Sequence, residues 1–171
     1  MLKIVSFFSG AGGLDLGFQQ AKTKIIWANE YDSSIYPTYI RNLGNHLVTK
    51  SIVDIDPEEV PDCDGIIGGP PCQSWSQAGA GRGINDSRGQ LFLNYVNIIK
   101  EKKPKFFLAE NVQGIINSRN IDSMNNIFMP LTDIGYNVSF KLLDANNYGV
   151  PQNRKRVIIV GYPSSYNKFF I

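Results

Sequence analysis

Residues 3–18 have the sequence KIVSFFSGAGGLDLGF, and this stretch decides the fold. Lys3 to Phe8 are mainly β-branched and aromatic, which is typical of a buried strand. The glycine-rich turn that follows leads into LDLGF, where apolar residues recur at helical spacing. A strand, a glycine-rich turn and a helix in this order indicate a nucleotide-type pocket, because the backbone can approach a ligand and the helix offers unpaired N–H groups. The spacing is not G-x-G-x-x-G, and a tight strand-to-helix connection explains the glycines equally well.

A second stretch, GGPPCQSWS at residues 68–76, follows the short apolar run Gly65–Ile67. Its two prolines fix φ and lack a backbone N–H, and its glycines permit close backbone approaches. This predicts a stiff turn that presents Cys72 just past a strand end, where ligands bind in open α/β sheets. A buried structural cysteine is the alternative for a lone thiol. We interpret Cys63, at the entrance of that strand, as structural.

Strand-like and helix-like segments alternate along the rest of the chain. Further strands are predicted at 24–29, between 47–48 and 52–53, and at 62–67, 106–109, 137–143 and 157–160, with helices at 35–43, 91–99 and 121–134. This alternation predicts an α/β fold with a mostly parallel sheet flanked by helices, and a ligand edge at the carboxyl ends of the strands.

Charged residues mark several of the predicted strand ends. Glu30 ends the second strand and can accept bonds from ribose hydroxyls, although a solvated strand end is the commoner case. Glu110 follows the fifth strand and is a candidate general acid. Arg154 and Arg156 precede the last strand and share a face, because the side-chain period of a strand is two. They are candidates to hold an anion or a base carbonyl, or form a solvated edge.

The segment 76–88 is a long polar loop with Arg82, Arg88 and a single acid, Asp86. Loops of this length without secondary structure are usually functional or disordered. A flap over phosphates and a plain solvated loop are both open interpretations.

The composition is that of a globular protein with a core. The 171 residues are 43% hydrophobic and 19% charged, and the net charge of +2 is too small to indicate nucleic-acid binding by itself. Two cysteines and one histidine exclude a disulfide framework and argue against a zinc site, so no metal is expected. No apolar run is long enough to span a bilayer and no signal-peptide pattern is present, so we expect a cytoplasmic protein.

Seven ordered motifs resemble the catalytic domain of the DNA cytosine-5 methyltransferases of bacterial restriction–modification systems. They are Phe8-Ser9-Gly10-Ala11-Gly12-Gly13-Leu14, Glu30, Asp54, Gly69-Pro70-Pro71-Cys72-Gln73-Ser74, Asp86-Ser87-Arg88-Gly89 with Leu91-Phe92, Glu110-Asn111-Val112 and Gln152-Asn153-Arg154-Lys155-Arg156. The resemblance covers nearly the whole chain.

The resemblance implies a seven-stranded sheet that binds S-adenosylmethionine. The cofactor residues that it implies are Phe8, Gly10, Ala11, Gly12, Gly13, Leu14, Glu30, Tyr31, Asp54, Ile55, Gly69, Pro71 and Leu91. Within this set, the glycine turn and Leu14 are expected at the methionine end, Phe8 and Tyr31 near the adenine, and Glu30 on the ribose. Asp54 and Ile55 are expected at the adenine edge, and Leu91 in the same pocket.

The resemblance also implies a catalytic set and a substrate. Cys72 is the expected nucleophile toward C6 of cytosine, Glu110 the proton donor to N3, and Arg156, with Arg154 beside it, the group that holds O2. The substrate is double-stranded DNA with its cytosine flipped out of the helix. The expected DNA-binding residues are Gln73, Ser76, Arg82 and Arg88.

The chain departs from the family pattern after Arg156, where no target-recognition region follows before Ile171. We therefore expect residues 1–171 to be an incomplete catalytic domain, whose target-recognition region is missing or supplied by a second chain. A non-catalytic fragment that binds cofactor, and an RNA cytosine methyltransferase on the same fold, are the alternatives. The recognised DNA sequence cannot be read from these residues, although the sequences of the motifs resemble those of the subgroup that acts on GGCC.

Overall fold

A computed structural model describes residues 1–71, 87–116 and 121–166, with the backbone alone at 87–88 and 121–124. Its centre is one seven-stranded sheet, whose strand order is β3-β2-β1-β4-β5-β7-β6. The strands are β1 (Lys3–Phe7), β2 (Lys24–Asn29), β3 (Leu47–Val48), β4 (Gly65–Gly68), β5 (Phe106–Val112), β6 (Tyr136–Asp144) and β7 (Lys155–Pro163). Strands β1 to β5 run parallel, and β7 is antiparallel to both of its neighbours, β5 and β6. The predicted fold class, a mostly parallel α/β sheet flanked by helices, is confirmed.

In the described part of the chain, four α-helices cover the two faces of the sheet. They are α1 (Gly13–Gln20), α2 (Tyr36–Leu43), α3 (Ser87–Lys102) and α4 (Ile121–Asp133). Side chains of α1 and α2 pack with Ile4, Ile25 and Ile67 on one face of the sheet. Side chains of α3 and α4 pack on the other face, where Phe7 and Phe107 lie in the larger core cluster. Successive β1 residues therefore point to opposite helical layers, as the period of two requires.

The register of the central strands aligns their carboxyl ends. Phe7 pairs with Gly68, and Gly68 pairs in turn with Ala109. A Cβ atom at Gly68 would lie 2.7 Å from the Phe7 carbonyl oxygen, so the close approach of β1 and β4 requires glycine here. The chain order reverses beside β1, and the crevice at such a point is where open α/β sheets bind ligands.

Several element bounds differ from the sequence prediction. Strand β5 continues through Val112 and β7 begins at Lys155, because the antiparallel ladder between them extends beyond the apolar residues that marked each strand. Ile52–Asp54 form a 3₁₀ turn instead of bounding the third strand, which is Leu47–Val48. The predicted loop 76–88 is too long by two residues, since α3 begins at Ser87.

Candidate active site

A cavity of about 620 Å³ opens at the carboxyl ends of β1, β4 and β5. This volume is in the range of small-molecule and cofactor sites. The residues that line it are Ser6, Phe7, Phe8, Ser9, Gly13, Leu14, Gly69, Glu110, Leu143, Ala145, Tyr148, Arg154, Arg156 and Ile158. It therefore joins the glycine turn after β1 to the acid on β5 and the arginines at the start of β7.

The glycine turn has an unusual backbone. Phe8, in the cavity wall, has a φ of 52°, which a non-glycine residue seldom adopts. Gly12 has a φ of 88°, and a Cβ atom there would collide with Leu43 and lie 3.1 Å from the ring of Tyr39. The turn is thus packed tightly against α2 on one side and is open to the cavity at Gly13 on the other.

Glu30 ties this turn to the end of β2. Its Oε2 accepts a 2.9 Å hydrogen bond from the Gly10 N–H, and its Oε1 accepts one of 2.9 Å from the Asp32 N–H. The Ser9 N–H donates to the Asn29 carbonyl at 3.1 Å, which fixes the same two segments. The carboxylate is half-buried and shapes the turn even without a ligand.

Glu110 and Arg156 form an ion pair inside the cavity. Glu110 Oε1 lies 2.8 Å from Arg156 Nε, and the two side chains are 32% and 26% exposed. Arg156 also donates from Nη1 to the Lys155 carbonyl at 2.8 Å. The two residues meet because Glu110 pairs with Ile158 and Val112 with Arg156, so they are diagonal neighbours on one face of the β5–β7 ladder.

A smaller cavity of about 220 Å³ adjoins this pair, between Pro70-Pro71 and the ends of β5 and β7. Asn111, which is 5% exposed, donates from Nδ2 to the Pro70 carbonyl at 2.9 Å. Its Oδ1 accepts a 2.9 Å bond from the Val112 N–H. The end of β5 therefore holds the backbone two residues before Cys72.

The residues of the larger cavity fit the chemistry of a nucleoside cofactor. Phe7, Phe8 and Leu14 supply apolar walls, and the first turn of α1 begins at Gly13 beside them. A group binding there can pack its base on the apolar wall and place polar atoms against the glycine backbone. Among the described residues, no group of three or more His, Cys, Asp or Glu side chains is placed to hold a metal ion.

A family model for C-5 cytosine-specific DNA methylases matches residues 2–170. The chain belongs to this family. Both the family and the fold are those of S-adenosylmethionine-dependent methyltransferases.

Three relatives of this methylase chain are Type II methyltransferases. M.FnuDI of Fusobacterium nucleatum is 54% identical over 97% of this chain and 48% of its own length. M.MthTI of Methanothermobacter thermautotrophicus is 50% identical over 99% of this chain and 51% of its own. M.NgoPII of Neisseria gonorrhoeae is 51% identical over 94% and 48%. The chain spans about half the length of the curated relatives it matches.

Solved structures show the same architecture. The crystal structure of an E. coli prophage protein described as a DNA modification methyltransferase has a TM-score of 0.83 at 30% identity, covering 100% of this chain and 49% of that one. The S. pombe Dnmt2 methyltransferase, at 24% identity, has a TM-score of 0.81, covering 99% of this chain and 53% of its own. This second likeness concerns the fold alone.

The methylase fold brings part of the predicted site together. Of the predicted residues, the cavity is lined by Phe8, Gly13, Leu14, Gly69, Glu110, Arg154 and Arg156, and Pro71 lines the smaller cavity beside it. Gly10, Ala11 and Gly12 lie in the turn at its rim. Arg154 precedes β7 and is exposed, while Arg156 is half-buried within the strand.

Other predicted cofactor residues are not among those that line the cavity. Tyr31 is 76% exposed beside Glu30, and Asp54 is exposed on its 3₁₀ turn. Ile55 is 6% exposed and belongs to the core cluster of α3 and α4, against which Leu91 also packs. Their proposed contacts with adenine stay predictions.

Cys72 and the predicted DNA-binding residues Gln73, Ser76 and Arg82 lie outside the described residues, as does the side chain of Arg88. The described part of the chain has no helix that is both long and apolar enough to cross a membrane.

Sequence reasoning missed the wall formed by the β6–β7 connection. Leu143, Ala145 and Tyr148 line the cavity, and Tyr148 is 64% exposed. Asp144 Oδ1 accepts bonds from the Asn146 N–H at 3.3 Å and from the Arg154 N–H at 3.1 Å, which closes the turn. The sequence signal that could have indicated this wall is Asp144, which begins a polar segment ten residues before Arg154.

Proposed function

We propose that the protein containing this chain transfers a methyl group from S-adenosylmethionine to C5 of cytosine in double-stranded DNA, as the modification enzyme of a restriction–modification system. One observation supports this most: the Glu110–Arg156 pair lies in the cavity wall beside the turn that leads to Cys72. The family and the Type II names of the relatives support the choice of DNA as substrate.

Cys72 is the proposed nucleophile. Its thiolate adds to C6 of the flipped-out cytosine, and the electron pair of the C5–C6 double bond moves toward N3 and O2, which makes C5 nucleophilic. C5 then takes the methyl group, which S-adenosylmethionine supplies as an electrophilic sulfonium methyl. Loss of the C5 proton expels the Cys72 sulfur and restores the ring.

Glu110 and Arg156 stabilise the charge that develops on the base. As the base binds, the Glu110 carboxyl group takes up a proton from solvent and donates it, or a hydrogen bond, to N3, while the Arg156 guanidinium, with Arg154 beside it, neutralises charge at O2. Without a base, the Glu110 carboxylate has Arg156 as its partner at 2.8 Å. Binding of the base therefore exchanges this internal ion pair for contacts with N3 and O2.

Cys63 is the natural control for Cys72, because it is the only other cysteine in the chain. It is partly buried at the amino end of β4, opposite to the cavity. Burial raises the pKa of its thiol to about 11, so it remains protonated at neutral pH and is a poor nucleophile.

DNA binding is proposed for Gln73, Ser76, Arg82 and Arg88, with residues 76–86 closing over the flipped base. Flipping a cytosine costs a few kcal/mol, which contacts with both sides of the duplex must offset. The relatives are about twice as long as their matched regions. We propose that turnover on DNA needs a region like their unmatched half, in the same polypeptide or in a second chain.

The second candidate is a chain that binds the cofactor in the larger cavity but has no methyltransferase activity of its own. The two candidates differ in whether this chain methylates DNA when the unmatched half of M.FnuDI is supplied as a separate polypeptide. We expect methyl transfer in the mixture and none from the 171 residues alone. Full turnover by this chain alone would contradict the need for a second half.

The nucleophile is tested with duplex DNA containing 5-fluorocytosine. Fluorine cannot leave as a proton does, so the adduct with the thiolate persists and survives denaturation. We expect the adduct in the complemented wild-type protein and in Cys63→Ser, and its loss in Cys72→Ser. An adduct that remains in Cys72→Ser would show that another group attacks the base.

A further inference from the structure

A buried carboxylate lies beneath the glycine turn, and the proposed reaction does not use it. Asp15, in the first turn of α1, is 0% exposed. Carboxylates are almost never fully buried unless they are paired with donors or charges. Because Asp15 is buried at the base of the cofactor pocket, it is a candidate for a functional role.

Four side chains from different segments form a hydrogen-bonded chain through Asp15. Ser6 Oγ on β1 donates to Asp15 Oδ1 at 2.6 Å, and Tyr39 Oη on α2 donates to Asp15 Oδ2 at 2.6 Å. His46 Nε2 lies 3.1 Å from Tyr39 Oη. Because the only Tyr39 hydroxyl proton goes to Asp15, His46 donates its Nε2 proton to Tyr39. Both carboxylate oxygens thus receive a donor, as an ionised group requires.

The hydrogen-bonded chain of side chains contacts the cofactor pocket at two points. The Tyr39 ring lies beneath Gly12, so the hydrogen-bonded side chain supports the turn directly. Ser6 is among the residues that line the cavity, and it is fully buried. Its hydroxyl proton is bonded to Asp15, and the Ser6 oxygen is left with lone pairs only. Asp15 is therefore hydrogen-bonded to a residue of the cavity wall.

A negative charge in this position suits a cation. Coulomb interactions are strong where water is excluded, and a buried charge is screened little by salt. S-adenosylmethionine carries a sulfonium charge that its demethylated product, S-adenosylhomocysteine, lacks. The two molecules otherwise share the same adenosine, carboxylate and amine.

We propose that the Ser6–Asp15–Tyr39–His46 chain holds a buried negative charge under the glycine turn, and that this charge makes the pocket prefer the cationic methyl donor over the neutral product. The inference rests on the proposed function, since it assumes that the pocket takes this cofactor. Asp15 is a positioning and charge-selecting residue, because it acts on the ligand through Ser6 and through the turn. The preference would limit inhibition by the product after each turnover.

The test is a ratio, the dissociation constant of S-adenosylhomocysteine divided by that of S-adenosylmethionine, measured by calorimetry at pH 7.5. Asp15→Asn removes the charge and keeps the shape. At an effective dielectric constant of about 20, loss of one buried charge should weaken S-adenosylmethionine by about tenfold relative to S-adenosylhomocysteine. Sinefungin, which carries an ammonium group where the methyl donor has its methylated sulfonium, should behave like the methyl donor.

Tyr39→Phe is the matched control. It breaks the same hydrogen-bonded chain and loosens the support of Gly12, but it leaves the Asp15 charge in place. Both ligands should then weaken by similar factors, so that the ratio is unchanged. Ser6→Ala, which removes the hydroxyl between the carboxylate and the cavity, should lower the ratio in the same direction as Asp15→Asn, and it decides the question if Asp15→Asn does not fold.

The outcomes separate this inference from the proposed function. If the wild-type chain binds neither ligand, the cofactor itself is wrong. If the wild type binds both and the ratio is unchanged in Asp15→Asn and Ser6→Ala, the charge-selecting role is overturned. Equal losses of affinity for the two ligands in all three variants would assign the Ser6–Asp15–Tyr39–His46 chain a purely structural role.

Discussion

Glu30 binds the backbone of the glycine turn and is also the proposed ribose ligand. Its two oxygens accept from the Gly10 and Asp32 N–H groups, and each retains a lone pair for a further donor. The sequence prediction was a ribose contact, with a solvated strand end as the alternative. Its hydrogen bonds within the protein mean that the carboxylate is already oriented before a cofactor binds, which lowers the entropic cost of binding.

Replacing Glu30 with alanine should weaken the binding of S-adenosylhomocysteine by about 1–3 kcal/mol, because both the turn and the ribose lose an acceptor. Glu30→Gln keeps one acceptor oxygen and should have a smaller effect. Glu58→Ala, at an exposed position in a 3₁₀ turn, is the control and should bind as the wild type does. Calorimetry that finds equal affinity in Glu30→Ala would refute both roles.

At the scale of elements, the end of β5 sets the geometry of the turn after β4. Asn111 is buried, and its amide connects the Pro70 carbonyl to the backbone of β5. A proline-rich turn has few backbone N–H groups with which to anchor itself. The side-chain amide from the neighbouring strand therefore supplies an anchor that the turn lacks.

Asn111→Ala should slow formation of the 5-fluorocytosine adduct at least tenfold in the complemented protein, because the turn that leads to Cys72 loses its anchor. The affinity for S-adenosylhomocysteine should change much less, since the glycine turn is held elsewhere. The free energy of unfolding should fall by about 1–3 kcal/mol from the lost buried hydrogen bonds. Asn97→Ala, at an exposed position of α3, is the control. A stability loss with an unchanged adduct rate would contradict the anchoring role.

The stability of the whole molecule should depend on pH through its single histidine. Burial lowers the pKa of His46, and the nearby Asp15 charge opposes this only in part. Below the ordinary histidine pKa of about 6.5, the unfolded chain therefore binds a proton that the native protein resists, and stability falls as the pH falls.

The midpoint of thermal unfolding should drop between pH 7.5 and pH 5.5 by more in the wild type than in His46→Gln. Glutamine can donate to Tyr39 Oη and does not titrate, so the variant retains the hydrogen bond and loses the linkage. Comparing the two proteins removes the contribution of every carboxylate they share. The same drop in both would show that His46 is not the group responsible.

Local patterns were sufficient for the fold class and for most elements. The glycine turn after β1 and the positions of six of the strands followed from residues that are neighbours in sequence. The bounds of β5 and β7 did not, because a ladder continues as long as its partner strand does. Glu110 was expected after a strand and lies within one.

By itself, the sequence determined the order of the motifs, the strand–turn–helix start and the chemistry available at each strand end, since these depend on local backbone preference and residue type. Only the tertiary structure decided which groups meet. The pairing of Glu110 with Arg156 comes from the antiparallel β5–β7 register. The burial of Asp15 with Ser6, Tyr39 and His46 joins four segments that no sequence period relates. Such contacts arise from the packing of α1 and α2 on the sheet, and their energies depend on burial that a linear pattern does not contain.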